Sequence, residues 1–423
     1  MAFIFNRFKQ LIIISGLVLI SLSAYSQEKI AQWRGPLRNG IYPDTNLKTI
    51  WPETGLPVDM KIEGIGKGWS SAVVLNQIIY VSGIKDTVEV VSAFDMNGNR
   101  LWERVFGLAW TASYPDSRNT PTVEGNRLYI SSGMGEVICL DAISGDIIWK
   151  TDPHKEFKGK FDRWGLAESL LLTDNAVICS VGGEYASVVA LKKSTGELLW
   201  KSPATGDIRG YVSPLMIERN GNKIILVELS KNLLGINPLT GEIFWTFDLI
   251  TDLTSPANPM RPANTPLYKN GEIFITRGYD ADALMLSLSE DGRSVKLKWE
   301  NKVLDTHLGG VVEVNGFIYG STWHSNTKGN WACLEWNTGK LMYDQEWFNK
   351  GPVIYADGHL YIMEEKNGNL ALVIPDPSGF KVVSTFRIEP GSGTYWAHPS
   401  IYDGKLFIRH GDVLMVYNIQ DKN

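Results

Sequence analysis

Residues able to grip a polar or ring-shaped ligand are scattered along this chain, never bunched. Arginine forks hold oxygens, indole and phenol faces give flat stacking surfaces, and imidazole and carboxylate exchange protons. The set comprises Trp69; Arg118 and Asn119; Arg163, Trp164 and Glu168; Arg209 and Tyr211; Arg261 and Asn264; His307; Lys350; and Tyr395, Trp396 and His398. A companion set contains Glu184, Tyr185, Arg277, Tyr279, Asp280, Trp323 and His324. No single stretch carries a complete reaction centre. The six histidines have no His-x-x-x-His pair, and Cys139, Cys179 and Cys333 give no Cys-x-x-Cys for zinc. No Gly-x-Ser-x-Gly elbow is present. The segment GIGKGWSS (64–71) has glycines and a lysine but not the order of a phosphate loop. Glu168, Asp280 and Asp282 are isolated acids and read as solvated groups, without the ligand spacing of a calcium loop. If these residues act together, the fold must bring them together.

Composition says what kind of fold that is. Apolar residues are 44% and charged residues 21% of 423, enough for a core, and 41 Gly with 46 aromatics suit many short strands joined by tight turns. The charge of −5, with no basic block, excludes a nucleic-acid partner.

Self-comparison supplies the period. AFDMNGNRLW, CLDAISGDIIW, ALKKSTGELLW, GINPLTGEIFW and CLEWNTGKLMY are copies of one unit, and LSLSEDGRSVKLKW and VIPDPSGFKVVSTF are looser ones. Their closing aromatics, Trp102, Trp149, Trp200, Trp245, Trp299, Tyr343 and Phe386, recur at the spacing of a propeller blade. Pairs such as Ile138 and Leu140, or Val189 and Leu191, alternate as in half-buried strands. A turn glycine follows (Gly98, Gly145, Gly196, Gly241, Gly292, Gly339 or Gly379), and the aromatic that ends the unit packs on the neighbouring blade. There are six further hairpins, five of them ahead of these units and one in the last stretch, several turned by Asn-Gly or Asp-Gly, as in LYKNGEIFITR and IYDGKLFIRHG. Two hairpins make a blade. The expectation is an all-β, single eight-bladed β-propeller of four-stranded antiparallel blades over residues 27–423, with seven blades as the rival count. The last stretch, 400–419, supplies only three strands, so VDMKIE (58–63) is assigned as its missing outer strand, an N-terminal strand that closes the ring.

Residues 1–26 have Arg7 and Lys9, an apolar run from Leu11 to Leu22, and small residues before Gln27, the plan of a secretory signal peptide. That run is too short to span a bilayer comfortably, so no stable membrane insertion is expected. No cysteine follows it for lipid attachment. The expected location is periplasmic or secreted, with the three thiols as buried hydrophobes or one pair bridged.

On these repeats, and on QWRGPLRNGIYP (32–43) followed by GIGKGWSS, the chain resembles the PQQ-binding-like β-propeller repeat family, the quinoprotein alcohol dehydrogenase-like superfamily, in a secreted, non-lipidated subgroup. The likeness covers essentially the whole mature chain. That superfamily includes quinoprotein dehydrogenases and the propeller subunit of the outer-membrane β-barrel assembly machinery. The resemblance implies that the scattered residues converge on one funnel face. It also implies what a quinone site requires: adjacent cysteines as a sulfur platform, and calcium bound by acidic and amide groups. No two cysteines here are adjacent, so PQQ with calcium is disfavoured and no cofactor is expected. The reading is a monomeric binding or scaffold protein with a protein or glycan ligand at the funnel. The alternative is a quinoprotein-like alcohol or sugar dehydrogenase, or another carbohydrate-acting enzyme.

Overall fold

The computed structural model describes residues 30–160, 162–250 and 262–421; the expected leader, residues 1–26, and Arg261 lie outside them. Eight antiparallel sheets form the wheel, seven of them four-stranded and one five-stranded. The first blade comprises Val73–Leu75, Ile78–Lys85, Val88–Asp95 and Arg100–Leu108. The second to seventh follow over 122–151, 171–201, 215–248, 267–301, 311–345 and 353–387. The eighth has Ser400–Tyr402, Lys405–His410 and Val413–Asn418, and Val58–Glu63 pairs with the last of these as its outer strand. The ring therefore closes through the N-terminal strand, and the count is eight. Among the described residues the only α-helix is Pro153–Glu156.

Two inner hairpins stand beyond the six read from the sequence. One joins Val73–Leu75 to Ile78–Lys85 through Asn76 and Gln77, at φ of 51° and 64°, with no glycine to mark it. The other joins Leu215–Arg219 to Asn222–Glu228 through Asn220 and Gly221.

The third strands differ from the half-buried expectation. Val137–Asp141 and Val188–Lys192 are buried on both faces, because each blade is sandwiched between two others. Eight apolar clusters result, one for each junction; Phe407 and Leu414 of the last blade join Ile79 and Phe94 of the first. Three of their members are Cys139, Cys179 and Cys333, all free thiols, and none is bridged.

The repeat's aromatic end forms the outer part of each junction. In all eight blades the outermost pairing shifts register, a bulge that re-aims the side chains of the outer strand. The Trp149 indole then lies on Gly196 of the next blade and donates Nε1–H to Lys193 O at 2.8 Å. Trp102, Trp200 and Trp299 make the same bond to Ala142, Pro238 and Trp336, each at 3.1 Å, while Trp245 donates to the turn glycine itself, Gly292 O, also at 3.1 Å. Gly196 needs its missing side chain twice over: its φ is +75°, and a Cβ would sit 2.6 Å from the indole. Gly379 departs from the expected pattern. Its φ is not in the left-handed region and no indole covers it, since the preceding blade ends in Tyr343 instead of tryptophan.

The axial channel is not open. Ile30–Ala31 adds a fifth strand beside Thr122–Glu124, the innermost strand of the second blade. The chain then turns within the hub and returns alongside the seventh blade, where Ile41 bridges Tyr355. This plug is fixed by two fully buried arginines. Arg34 donates to Val311 O at 2.5 Å, Val353 O at 3.2 Å and His398 Nδ1 at 3.0 Å. Arg38 donates to Leu170 O at 2.5 Å, Ser169 O at 2.8 Å and Gln32 Oε1 at 2.8 Å. Innermost strands of a propeller leave carbonyls facing the axis, and two guanidinium forks can satisfy many of them at once. Burial lowers the guanidinium pKa of Arg34 to about 10 and of Arg38 to about 9, so both stay charged at neutral pH.

Candidate functional site: the funnel mouth

The segments leading into the innermost strands, with loops between second and third strands, surround a cavity of about 450 Å³ above the plug. Trp33, at the tip of the plug, lines it and meets His398 edge-on with ring centroids 5.1 Å apart. Three aromatic walls rise around this floor. Trp69 and Trp396 are 4.7 Å apart, with Tyr114 beside both. Trp164 and Tyr211 are 5.6 Å apart, and the Tyr211 hydroxyl accepts the Trp164 backbone N–H at 3.2 Å. Tyr279 meets His307 edge-on at 4.6 Å.

The walls are braced from behind. Trp396 donates Nε1–H to Glu365 at 3.0 Å, and that carboxylate is paired with the buried Lys350. Arg118 lies 5.4 Å over the Trp69 ring, and its guanidinium donates to Tyr114 O at 2.6 Å and Ser113 O at 3.2 Å. Below, small hydroxyls stitch blade to blade: Ser71 N–H donates to Thr120 Oγ1, Ser169 Oγ to Thr120 O, and Ser169 N–H to Ser213 Oγ, each at 2.9 Å.

The ionisable groups in the lining are tied up. His398 accepts from Arg34 at Nδ1 and donates Nε2–H to Leu308 O at 2.9 Å, so its neutral tautomer is fixed. Burial and then the Arg34 charge lower its pKa to about 3. His307, bonded to the Tyr279 hydroxyl at 2.7 Å, is lowered to about 3 by burial and then by Lys350. Glu168 is raised by burial, against the opposing pull of Arg209 at 2.6 Å, and it also accepts from Ser180. The cavity is thus built for stacking and hydrogen bonding; neither histidine is poised to exchange a proton near neutral pH.

Of the residues singled out in the sequence, Trp69, Arg118, Trp164, Glu168, Tyr211, Tyr279, His307, Trp396 and His398 line the cavity. The others stand apart from its lining. Asn119 and Asn264 are fasteners: Asn119 donates to Ser131 O and accepts Glu168 N–H, both at 2.7 Å, and Asn264 donates to Thr306 O at 2.7 Å and accepts Gly310 N–H at 2.9 Å. Arg209 lies buried against Glu168. Tyr395 stacks on His410 at 3.6 Å and donates to Ile388 O. Trp323 sits behind Tyr279 at 5.3 Å, His324 turns to Thr322 within its own loop, and Arg163 is exposed over the ring of Trp164. Missed altogether were Trp33, Tyr114 and the hub arginines Arg34 and Arg38. The pair of arginines in QWRGPLRNG is the signal that points to the plug.

A closed eight-bladed wheel with an aromatic funnel is a propeller of the quinoprotein type. The chain belongs to the PQQ-like repeat family described as outer membrane protein assembly factor BamB, whose model matches residues 87–374. The outer membrane protein assembly factor BamB of Moranella endobia is 25% identical over 272 residues, 60% of this chain. The match spans 63% of that relative's own length, a little under two thirds. Among solved structures, BamB from Moraxella catarrhalis superposes with a TM-score of 0.64 at 13% identity, covering 86% of this chain and 99% of that one. A europium-containing methanol dehydrogenase gives 0.68 at 12%, covering 90% of each. At such identities these two structures establish the fold alone.

The residues present do not fit a bound quinone. The three cysteines are in the second, third and sixth blades, each buried in a blade junction, and offer no sulfur platform. PQQ carries carboxylates, yet the guanidinium of the lining, Arg118, is already committed to backbone carbonyls and both histidines are neutral. Among the described residues no group of three or more His, Cys, Asp or Glu is placed to hold a metal ion.

Proposed function

We propose that this protein is an exported binding scaffold, periplasmic or secreted, which works as a monomer and holds a protein or glycan ligand at its funnel mouth without a quinone. The observation that carries the reading is the braced aromatic cavity of about 450 Å³, a size typical of small-ligand sites, whose ionisable groups are neutralised or paired. Family membership supports it, since the matching family model bears the name of an assembly factor. The leader at residues 1–26, with Arg7 and Lys9 before its apolar run, supports export.

The test is calorimetric titration of the mature protein with a glycan panel, a peptide panel, and PQQ with calcium, alongside an assay for alcohol oxidation. The expected result is binding by a glycan or peptide and none by the quinone. Micromolar quinone binding with turnover of an alcohol would replace the scaffold with a dehydrogenase.

A further inference from the structure

The lining of the funnel narrows the ligand class. Its charge is spent internally: Arg118 on backbone carbonyls and the Trp69 ring, and Glu168 on Arg209 and Ser180. A charged ligand would bury its charge here without a free counter-charge, at a cost that pairing alone would offset. The cavity therefore suits an uncharged guest.

Its aromatic surface is spread over several blades and held rigid. Trp69 and Trp396 form one wall, Trp164 and Tyr211 another, and Trp33 the floor. The brace of Trp396 through Glu365 to Lys350, and the bond from Trp164 to Tyr211, fix the faces before any ligand arrives. Preorganised faces waste little entropy on binding. Rings that are flat, C–H-rich and ringed by hydroxyls match such faces.

The polar atoms decide between a sugar and an apolar peptide side chain. His307 and Thr394 both line the cavity, and neither His307 Nδ1 nor Thr394 Oγ1 has a hydrogen-bond partner in the protein. His307 itself is 9% exposed. An apolar guest would leave these groups orphaned, whereas a hydroxyl-bearing guest can pair with them.

We propose that the funnel cavity is a site for an uncharged saccharide, held by stacking on the tryptophan walls and by hydroxyl contacts at the His307 side. This rests on the funnel being the binding site.

The experiment titrates the mature protein by calorimetry and tryptophan fluorescence with five neutral trisaccharides: cellotriose, maltotriose, mannotriose, xylotriose and triacetylchitotriose. Trigalacturonate is the charged counterpart, and a neutral tryptophan-containing tripeptide is the apolar one. At least one neutral sugar should bind, with affinity unchanged between about 50 mM and about 0.5 M salt. Trp69→Ala and Trp164→Ala should each weaken that binding about tenfold. The two residues belong to different blades, so one variant keeps the test alive if the other does not fold. Preference for trigalacturonate, or sugar binding indifferent to both substitutions, overturns the saccharide site. Binding of the tripeptide but no sugar, lost in Trp164→Ala, overturns the saccharide and leaves the funnel as a binding site. No binding by any probe overturns both.

Discussion

Trp149 and Trp396 are the same residue type at opposite ends of a blade's radius, and they do different things. Trp149, on an outer strand, covers Gly196 of the next blade and is 8% exposed. Its arrangement recurs with Trp102, Trp200 and Trp299, over Gly145, Gly241 and Gly339. Trp396, at the hub, has its N–H anchored on Glu365 and lines a cavity that no other copy of the repeat reproduces. The rim is made by what the blades share, the funnel by where they differ. A repeat can fix adhesion between neighbours many times over, because the same two surfaces meet at each junction. It cannot fix a binding site, which needs different groups at one point.

The sharpest way to break this comparison is at the hub. Arg38→Met removes the donor to Ser169 O, Leu170 O and Gln32 and leaves the two carbonyls buried. A loss of ~3–5 kcal/mol is expected in denaturant unfolding. A loss below ~1 kcal/mol would mean that the plug does not hold the hub.

At the rim, two glycines of the same repeat position should part company. Gly196→Ala places a methyl against Trp149 at a φ of +75° and should cost ~2–3 kcal/mol. Gly379→Ala, whose nearest neighbour would be Gln345 Oε1 at 3.7 Å, should stay within ~0.5 kcal/mol of the parent. Equal melting shifts in the two variants would contradict the docking role of the indole.

Buried acids and histidines set the pH response. Burial raises Glu228 to about 8, and Glu89 and Asp305 to about 7. The folded state binds these protons more tightly than the unfolded chain. Their stabilising effect is therefore full in acid and lost as pH rises through the folded values. His154, lowered to about 4, and His307 and His398, lowered to about 3, work the other way once the unfolded chain starts to protonate near 6.5. The melting temperature should climb as pH falls from about 9 to about 6.5 and then level off as the two groups oppose each other. Glu228→Gln should flatten the alkaline limb; an unchanged limb would show that the Glu228 carboxyl, faced by Arg277, does not drive it.

Among the tryptophans the smallest effect on stability is expected at the mouth. Trp69→Ala should change unfolding by no more than ~1 kcal/mol, because its ring is only partly buried and it lines a cavity. A loss as large as that expected of Trp149→Ala, ~3–5 kcal/mol, would make Trp69 a structural fastener like the rim residues.

Particular residues show how far the sequence could be read. The closing aromatics, the turn glycines and VDMKIE were legible because each is a local rule: a period of alternation, a positive φ, a strand without a partner of its own. The inner hairpin at Asn76–Gln77 was harder to see because two non-glycine residues take the positive φ values that usually advertise a turn. Glu168 and Asn119 look alike as candidates in a list of polar residues. One lines the cavity and the other fastens blades, and only the neighbouring blade decides which.

The sequence by itself determined the wheel, its blade size and the strand that closes it, since these follow from short-range geometry repeated along the chain. The tertiary structure alone decided that the hub is plugged, that Arg34 and Arg38 reach carbonyls far away in sequence, and which side chains share the funnel. Such contacts depend on how eight blades are set around one axis, and no segment carries that information within its own residues.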